Sequence, residues 1–145
     1  MKDVWISGVE SKYPASLLDG RLNAEASTIG LIWQDPLILD ETKLSAKDFL
    51  SIDGRFYFEV AKQLRSKNIM DFNEVAVISN LDKDVLDKFR EKGGYKEISN
   101  IASVVSEKNK DSILDSLSKH NIALRLFNRV FGLLFFGLSG FLSPL

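Results

Sequence analysis

Several kinds of site are excluded by what this sequence lacks. It has no cysteine, so disulfides and thiolate metal sites cannot form. Its single histidine, His120, rules out a His-rich zinc site and leaves any Ser-His-Asp triad dependent on one residue. There is no phosphate-binding G-x-x-x-x-G-K-S/T motif, and no set of nucleophile, base and orienting residue can be assembled. We therefore expect no catalytic residue, metal site or cofactor in this chain.

The charge balance and the low proline content narrow the protein class further. Nineteen Lys and Arg residues stand against twenty Asp and Glu, for a net charge of −1. Tight non-specific DNA binding needs a basic surface, so we expect any contact with DNA to be indirect. Three prolines and nine glycines are too few for a disordered linker protein. The first residues, Met1 to Val4, lack the apolar run of a signal peptide, so we expect a cytoplasmic protein.

The apolar residues that are present recur at helical spacing and predict an all-α protein. With 145 residues, 45% of them hydrophobic, the chain is long enough for a single domain with a real core. We expect an N-terminal arm over residues 1–22 and a compact helical head over residues 23–108. A long helix or helical hairpin with an apolar tail follows over residues 109–145.

Turn and capping residues place the individual helices of the head. Asn23 is a good N-cap for a first helix that ends before Pro36. Another helix is predicted over 53–66, and Gly93-Gly94 is predicted to end a later one as a C-cap. Residues 75–79 could also form a strand, but a lone strand has no partner.

A heptad-like seam runs along the predicted long helix, with steps of 4, 3, 4, 3 and 4 residues. Such spacing is typical of a helix that packs against another helix, either in this chain or in a second copy. We assign the seam as a candidate self-association interface, with a core helix of the same domain as the alternative. Its residues are Ile113, Leu117, His120, Leu124, Phe127 and Phe131.

The last sixteen residues, Val130 to Leu145, carry no charge. A membrane-spanning helix needs about twenty apolar residues, so this segment is short for one. We consider a helix buried in a dimer or hairpin, a truncated domain end and a membrane tail as interpretations, and we favour the first.

Short motifs follow one another in a fixed order over roughly residues 23–131. Their residues, which we expect to be structural, are Glu25, Ala26, Gly30, Asp35, Pro36, Asp48, Phe49, Arg55, Phe58, Glu59, Gly93 and Gly94. In this order they resemble the N-terminal domain of DnaB-type replicative DNA helicases, including those encoded by a phage or prophage. Ile52 and Gly54 stand where that family commonly has proline and histidine, and the ATPase domain is absent.

This resemblance implies a non-catalytic scaffold of the primosome rather than a motor, although the full-length parent would be an ATP-dependent DNA helicase. Such a domain associates with further copies of itself in a ring collar and docks primase or a helicase loader. Its partners would then be itself and one of those proteins, with DNA reached only through the parent and no membrane. The alternative is a stand-alone adaptor or inhibitor that binds a helicase ring by resembling its collar domain.

Overall fold

The computed structural model describes the backbone of residues 14–140 and the side chains of residues 14–130. Within that range the chain forms seven α-helices, two 3₁₀ turns and no strand, which confirms the all-α prediction. The 3₁₀ turns are Ala46–Asp48 and Glu107–Asn109. The helices are α1 (Ala15–Gln34), α2 (Ile38–Glu41), α3 (Ile52–Ser66), α4 (Glu74–Asn80), α5 (Lys83–Glu91), α6 (Gly94–Ser103) and α7 (Lys110–Gly140).

The first helix begins at Ala15, well before the predicted start at Asn23. Asp19-Gly20 resembles a turn in sequence, but here it lies inside α1. The glycine leaves room for α7, because a Cβ at Gly20 would meet the imidazole ring of His120. Residues 1–13 of the predicted arm lie outside the described residues.

Helix α3 begins at Ile52, one residue before the predicted start, and its capping residue is one that was not predicted. Ser51 Oγ accepts a hydrogen bond from the Gly54 amide at 2.9 Å and caps α3. Gly93 has φ of 111°, a left-handed conformation that favours glycine, and it separates α5 from α6 as predicted. Residues 75–79 are helical, so the strand alternative was wrong.

Helix α1 is the centre of the core and contacts α3, α6 and α7. Twelve of its residues are buried, including Ile29, Leu31 and Ile32. At its C-terminal end, Trp33 packs edge-on against Phe72 with ring centroids 5.0 Å apart and stacks on Phe89 at 6.1 Å. Because α1 is enclosed from several sides, its apolar residues do not follow a single stripe, and it must also bury polar side chains.

The principal buried polar pair is Arg21 and Glu25, one turn apart on α1 and 2% and 0% exposed. Arg21 Nε donates to Glu25 Oε2 at 2.9 Å. The other carboxylate oxygen, Oε1, accepts hydrogen bonds from the Ser51 amide at 3.1 Å and from Ser51 Oγ at 3.2 Å. Glu25 therefore holds the residue that caps α3.

The guanidinium of Arg21 extends the same network to two further elements. Its terminal nitrogens donate to the carbonyl of Asp48, at the end of the first 3₁₀ turn, and to Oδ1 of Asn121 on α7. Burial raises the pKa of Glu25, while the Arg21 charge and the hydrogen bonds from the backbone at Leu50 and Ser51 oppose that rise. One ion pair thus joins α1, the 3₁₀ turn, α3 and α7.

A second constraint on α1 is its close approach to α6. A Cβ at Gly30 would lie 2.8 Å from Val105 Cγ2 and 2.9 Å from the carbonyl oxygen of Ile101. Since one of these neighbours is backbone, only glycine fits here without separating the helices.

We predict that Arg21→Met destabilises the fold by about 3–5 kcal/mol at neutral pH, because the Glu25 carboxylate then lies buried without its counter-charge. Losing the cation raises the folded-state pKa of Glu25 further above its unfolded value. In the variant, the stability that depends on protonated Glu25 is fully present below the unfolded-state pKa of this residue. That stability is lost as the pH rises through the folded-state pKa of Glu25. Urea unfolding of both proteins should therefore show a larger deficit at neutral pH than at acidic pH.

The matched control is Arg65→Met, which removes an ion pair to Asp40 whose side chains are 19% and 50% exposed. We expect this change to cost no more than about 1 kcal/mol at either pH. An Arg21→Met deficit that is the same at both pH values would contradict the coupling to Glu25.

We predict that Gly30→Ala destabilises the fold by about 1–3 kcal/mol despite the better helix propensity of alanine, because α6 must move away from α1. Gly20→Ala should cost less, since its neighbour is the end of the His120 side chain. Thermal unfolding of both variants tests this ranking. If Gly30→Ala were as stable as wild type, α6 could move away from α1 without loss of stability, and the prediction would be wrong.

Candidate interaction surface on the long helix

The inward face of α7 packs on α1 within the chain. Leu117 is 1% exposed and belongs to the hydrophobic core, and Ile113 and Leu114 pack against that core from its edge. The start of α7 is tied to α2 by an ion pair between Lys110 Nζ and Glu41 Oε2, 2.7 Å long. The N-terminal half of α7 is therefore part of the head.

The predicted seam lies on this inward face. Its buried members, Leu117 and Leu124, need no second copy to cover them, so the alternative of a core helix applies to these two residues. Self-association through the rest of the seam stays a prediction. Leu117 and Leu124 are buried, Ile113, His120 and Phe127 are half-buried, and the side chain of Phe131 lies outside the described residues.

His120 has a structural position. Its Nδ1 lies 2.8 Å from the carbonyl oxygen of Ser116, one turn earlier on α7, and its ring packs over Gly20. With Nδ1 protonated, the ring donates to that carbonyl and is held against α1. The ring thus spaces α1 and α7 where the two helices meet.

The outward face of α7 carries an apolar stripe that the heptad pattern does not include. Ile122, Leu126 and Val130 are 51%, 54% and 54% exposed, and their spacing of four residues places them on one face. At about 100° per residue, this stripe lies about 180° from Leu117 and Leu124. We call these three residues the outer stripe.

The outer stripe had a signal in the sequence, since apolar residues at i, i+4 and i+8 satisfy the helical template. The seam residues satisfy the same template over a longer stretch, and for that reason the seam was assigned as the candidate self-association interface. Apolar residues on two opposite faces are typical of a helix that is covered on both sides. Within the described residues, only the inward face is covered.

The motif residues that carry the family resemblance are grouped by the structure mainly around α1 and the start of α3. Glu25 and Asp48 belong to the network of Arg21, and Arg55 donates from Nη2 to the Leu50 carbonyl at 3.2 Å. Phe49 packs on Phe58 with ring centroids 5.0 Å apart.

The remaining motif residues have simpler positions. Gly30 allows the approach of α6, and Gly93 and Gly94 both have positive φ. Pro36 is buried directly after α1, while Glu59 is exposed. Their roles in this structure concern packing and turns rather than chemistry.

Metal-ligand clusters and membrane-spanning helices are both absent from the described residues. No group of three or more His, Cys, Asp or Glu side chains within that part of the chain could hold a metal ion. Nor does any helix there have the length and apolar content to cross a membrane.

Comparison with known proteins finds no matching family model, no matching curated protein and no matching solved structure. The resemblance to the DnaB-type N-terminal domain therefore stays a hypothesis that depends on the order of its motifs.

We predict that Leu117→Ala and Leu126→Ala differ sharply in stability, although both shorten a leucine of α7. The first should cost about 2–5 kcal/mol because it leaves a cavity in the core. The second should stay within about 0.5 kcal/mol of wild type, because half of that side chain already faces solvent. Urea unfolding in dilute protein measures both, and equal losses would contradict the assignment of inward and outward faces.

Proposed function

We propose that this chain is the non-catalytic scaffold domain of a DnaB-type replicative helicase. In this proposal the long helix α7 joins copies of the chain in a ring collar, and the head offers a docking surface to primase or a helicase loader. The order of the sequence motifs supports the family, and a helical head followed by one long helix is compatible with it.

The observation that carries the proposal is the outer stripe. Helix α7 has 31 residues and at about 1.5 Å per residue is roughly 46 Å long. Leu124 is its last buried side chain among those described, so α7 continues beyond its contact with the head. An apolar face that continues away from the core favours a contact with another molecule.

A second copy of α7 is the partner that fits this face. A two-fold contact is self-complementary, so each stripe residue contributes twice. Burying a Leu, Ile or Val fully contributes about 1.5–3 kcal/mol. The stripe residues are already half covered, so we expect about 1 kcal/mol from each and about 6 kcal/mol from two copies.

That gain lies near the lower end of the association cost of about 4–15 kcal/mol, so further apolar contacts are needed. The sequence offers them directly after the stripe, because residues 130–145 are uncharged and rich in Phe and Leu. The near-neutral chain also suits protein partners better than a DNA groove.

We predict that the wild-type chain self-associates at tens of micromolar and that Leu126→Asp shifts it to monomer. The substitution places two carboxylates in a two-fold apolar contact, where neither has a counter-charge. Because Leu126 is half exposed in the single chain, the thermal midpoint of the monomer should change little. Sedimentation velocity across a concentration series measures the association.

The control is Val75→Asp, which introduces the same charge at an exposed apolar residue of α4, 78% exposed. It should associate like wild type. A wild-type chain that stays monomeric over the whole series, or a Leu126→Asp chain that associates as well as wild type, would refute the proposed collar contact.

A further inference from the structure

A cleft with a basic rim lies between the first 3₁₀ turn, the start of α3 and the middle of α7. Its volume is about 640 Å³, within the range of about 300–1,000 Å³ usual for ligand sites. Lys47, Arg55 and Arg125 contribute its positive charges, and all three are exposed. We call it the basic cleft.

The charges of the basic cleft are not neutralised by neighbouring carboxylates. Lys47 and Arg125 form no ion pair with any described residue. Arg55 donates only to carbonyl oxygens, those of Leu50 at 3.2 Å and Ser51 at 3.5 Å, which leave its full charge available.

One carboxylate, that of Asp48, also lines the cleft and lies within a network of hydrogen bonds. Asp48 accepts hydrogen bonds from the Ser45 amide at 2.9 Å and from Asn121 Nδ2 at 3.3 Å. Arg21, at the cleft floor, is paired with Glu25. Lys47, Arg55 and Arg125 outnumber the one carboxylate of Asp48, so the cleft is positive in a chain whose net charge is −1.

The inner wall of the cleft is apolar, so a ligand needs an apolar group in addition to negative charge. Phe49, Leu50 and Leu124 line it, and the Phe49 ring is 2% exposed. Single-stranded nucleic acid binds through exposed aromatic faces on which bases stack, in addition to cations. Since the one aromatic ring of this cleft is covered, the lining favours aliphatic groups over bases.

We propose that the basic cleft binds a short acidic segment of a partner protein, with carboxylates beside Lys47, Arg55 and Arg125 and an aliphatic side chain against the half-buried Leu50. Arginine suits carboxylates because its planar group can donate two parallel hydrogen bonds. The proposal stands apart from self-association, because the α7 residues of the cleft lie on a different side of the helix from Leu126.

The experiment uses a fluorescein-labelled peptide with four Asp-Glu-Leu repeats, titrated with the full chain and followed by anisotropy at physiological salt. We expect saturable binding that weakens as salt is raised, because exposed ion pairs are screened. Replacing the acids by Asn and Gln, or the leucines by serine, should weaken binding several-fold, since each removes one of the two requirements.

The matched variants are Lys47→Glu and Lys96→Glu, which reverse the same charge at exposed lysines inside and outside the cleft. Lys47→Glu should weaken binding by about fivefold to tenfold, through a lost ion pair and a new repulsion. Lys96→Glu should bind like wild type. Arg125→Glu supplies a second cleft variant, and circular dichroism verifies that each variant folds.

Several results would overturn the proposal. They are no saturable peptide binding, equal weakening by both lysine variants, undiminished binding of the neutral peptide, or tighter binding of oligothymidylate than of the acidic peptide. Leu126→Asp separates this proposal from the collar contact, because it should abolish self-association and leave peptide binding unchanged.

Discussion

The buried ion pair between Arg21 and Glu25 is the contact on which the arrangement of the other helices depends. Two charges taken out of water are costly unless every donor and acceptor is satisfied. Here the partners that satisfy them come from three other parts of the chain: the carbonyl of Asp48, the amide and hydroxyl of Ser51, and the side chain of Asn121. Apolar packing alone would tolerate several relative positions of these elements, but the hydrogen bonds are compatible with one.

The sequence predicted most of the head well because its helices begin at residues with a clear local role. Ser51 and Asn73 accept hydrogen bonds from the first turn of α3 and α4, and Gly93 takes the left-handed conformation before α6. These effects act over three or four residues and can be recognised without tertiary structure. The start of α1 could not be predicted in this way, because the contacts of Gly20 and Arg21 lie on α7 and the first 3₁₀ turn, far away in the sequence.

The sequence indicates less about the candidate site than about the fold, for a related reason. Heptad spacing indicates that one face of a helix is covered, but it does not identify the covering element. Leu117 fits a coiled-coil seam and a core position equally, and the structure places it in the core with α1 as its neighbour. Only after that face is assigned do Ile122, Leu126 and Val130 stand out as the face that no described residue covers. The basic cleft had no sequence signal, because its residues come from distant segments.

The packing of Leu117 and His120 against α1 also fixes how α7 is rotated about its own axis. Since α7 continues without interruption to Gly140, its far end cannot turn independently of the head. Each added or removed residue would rotate everything beyond it by about 100° and shift it by about 1.5 Å. An insertion between Leu117 and Ile122 would therefore turn the outer stripe toward a new direction while every side chain in it stayed the same. The number of residues in α7 therefore determines the direction in which the outer stripe faces, whereas its composition determines whether that stripe is apolar.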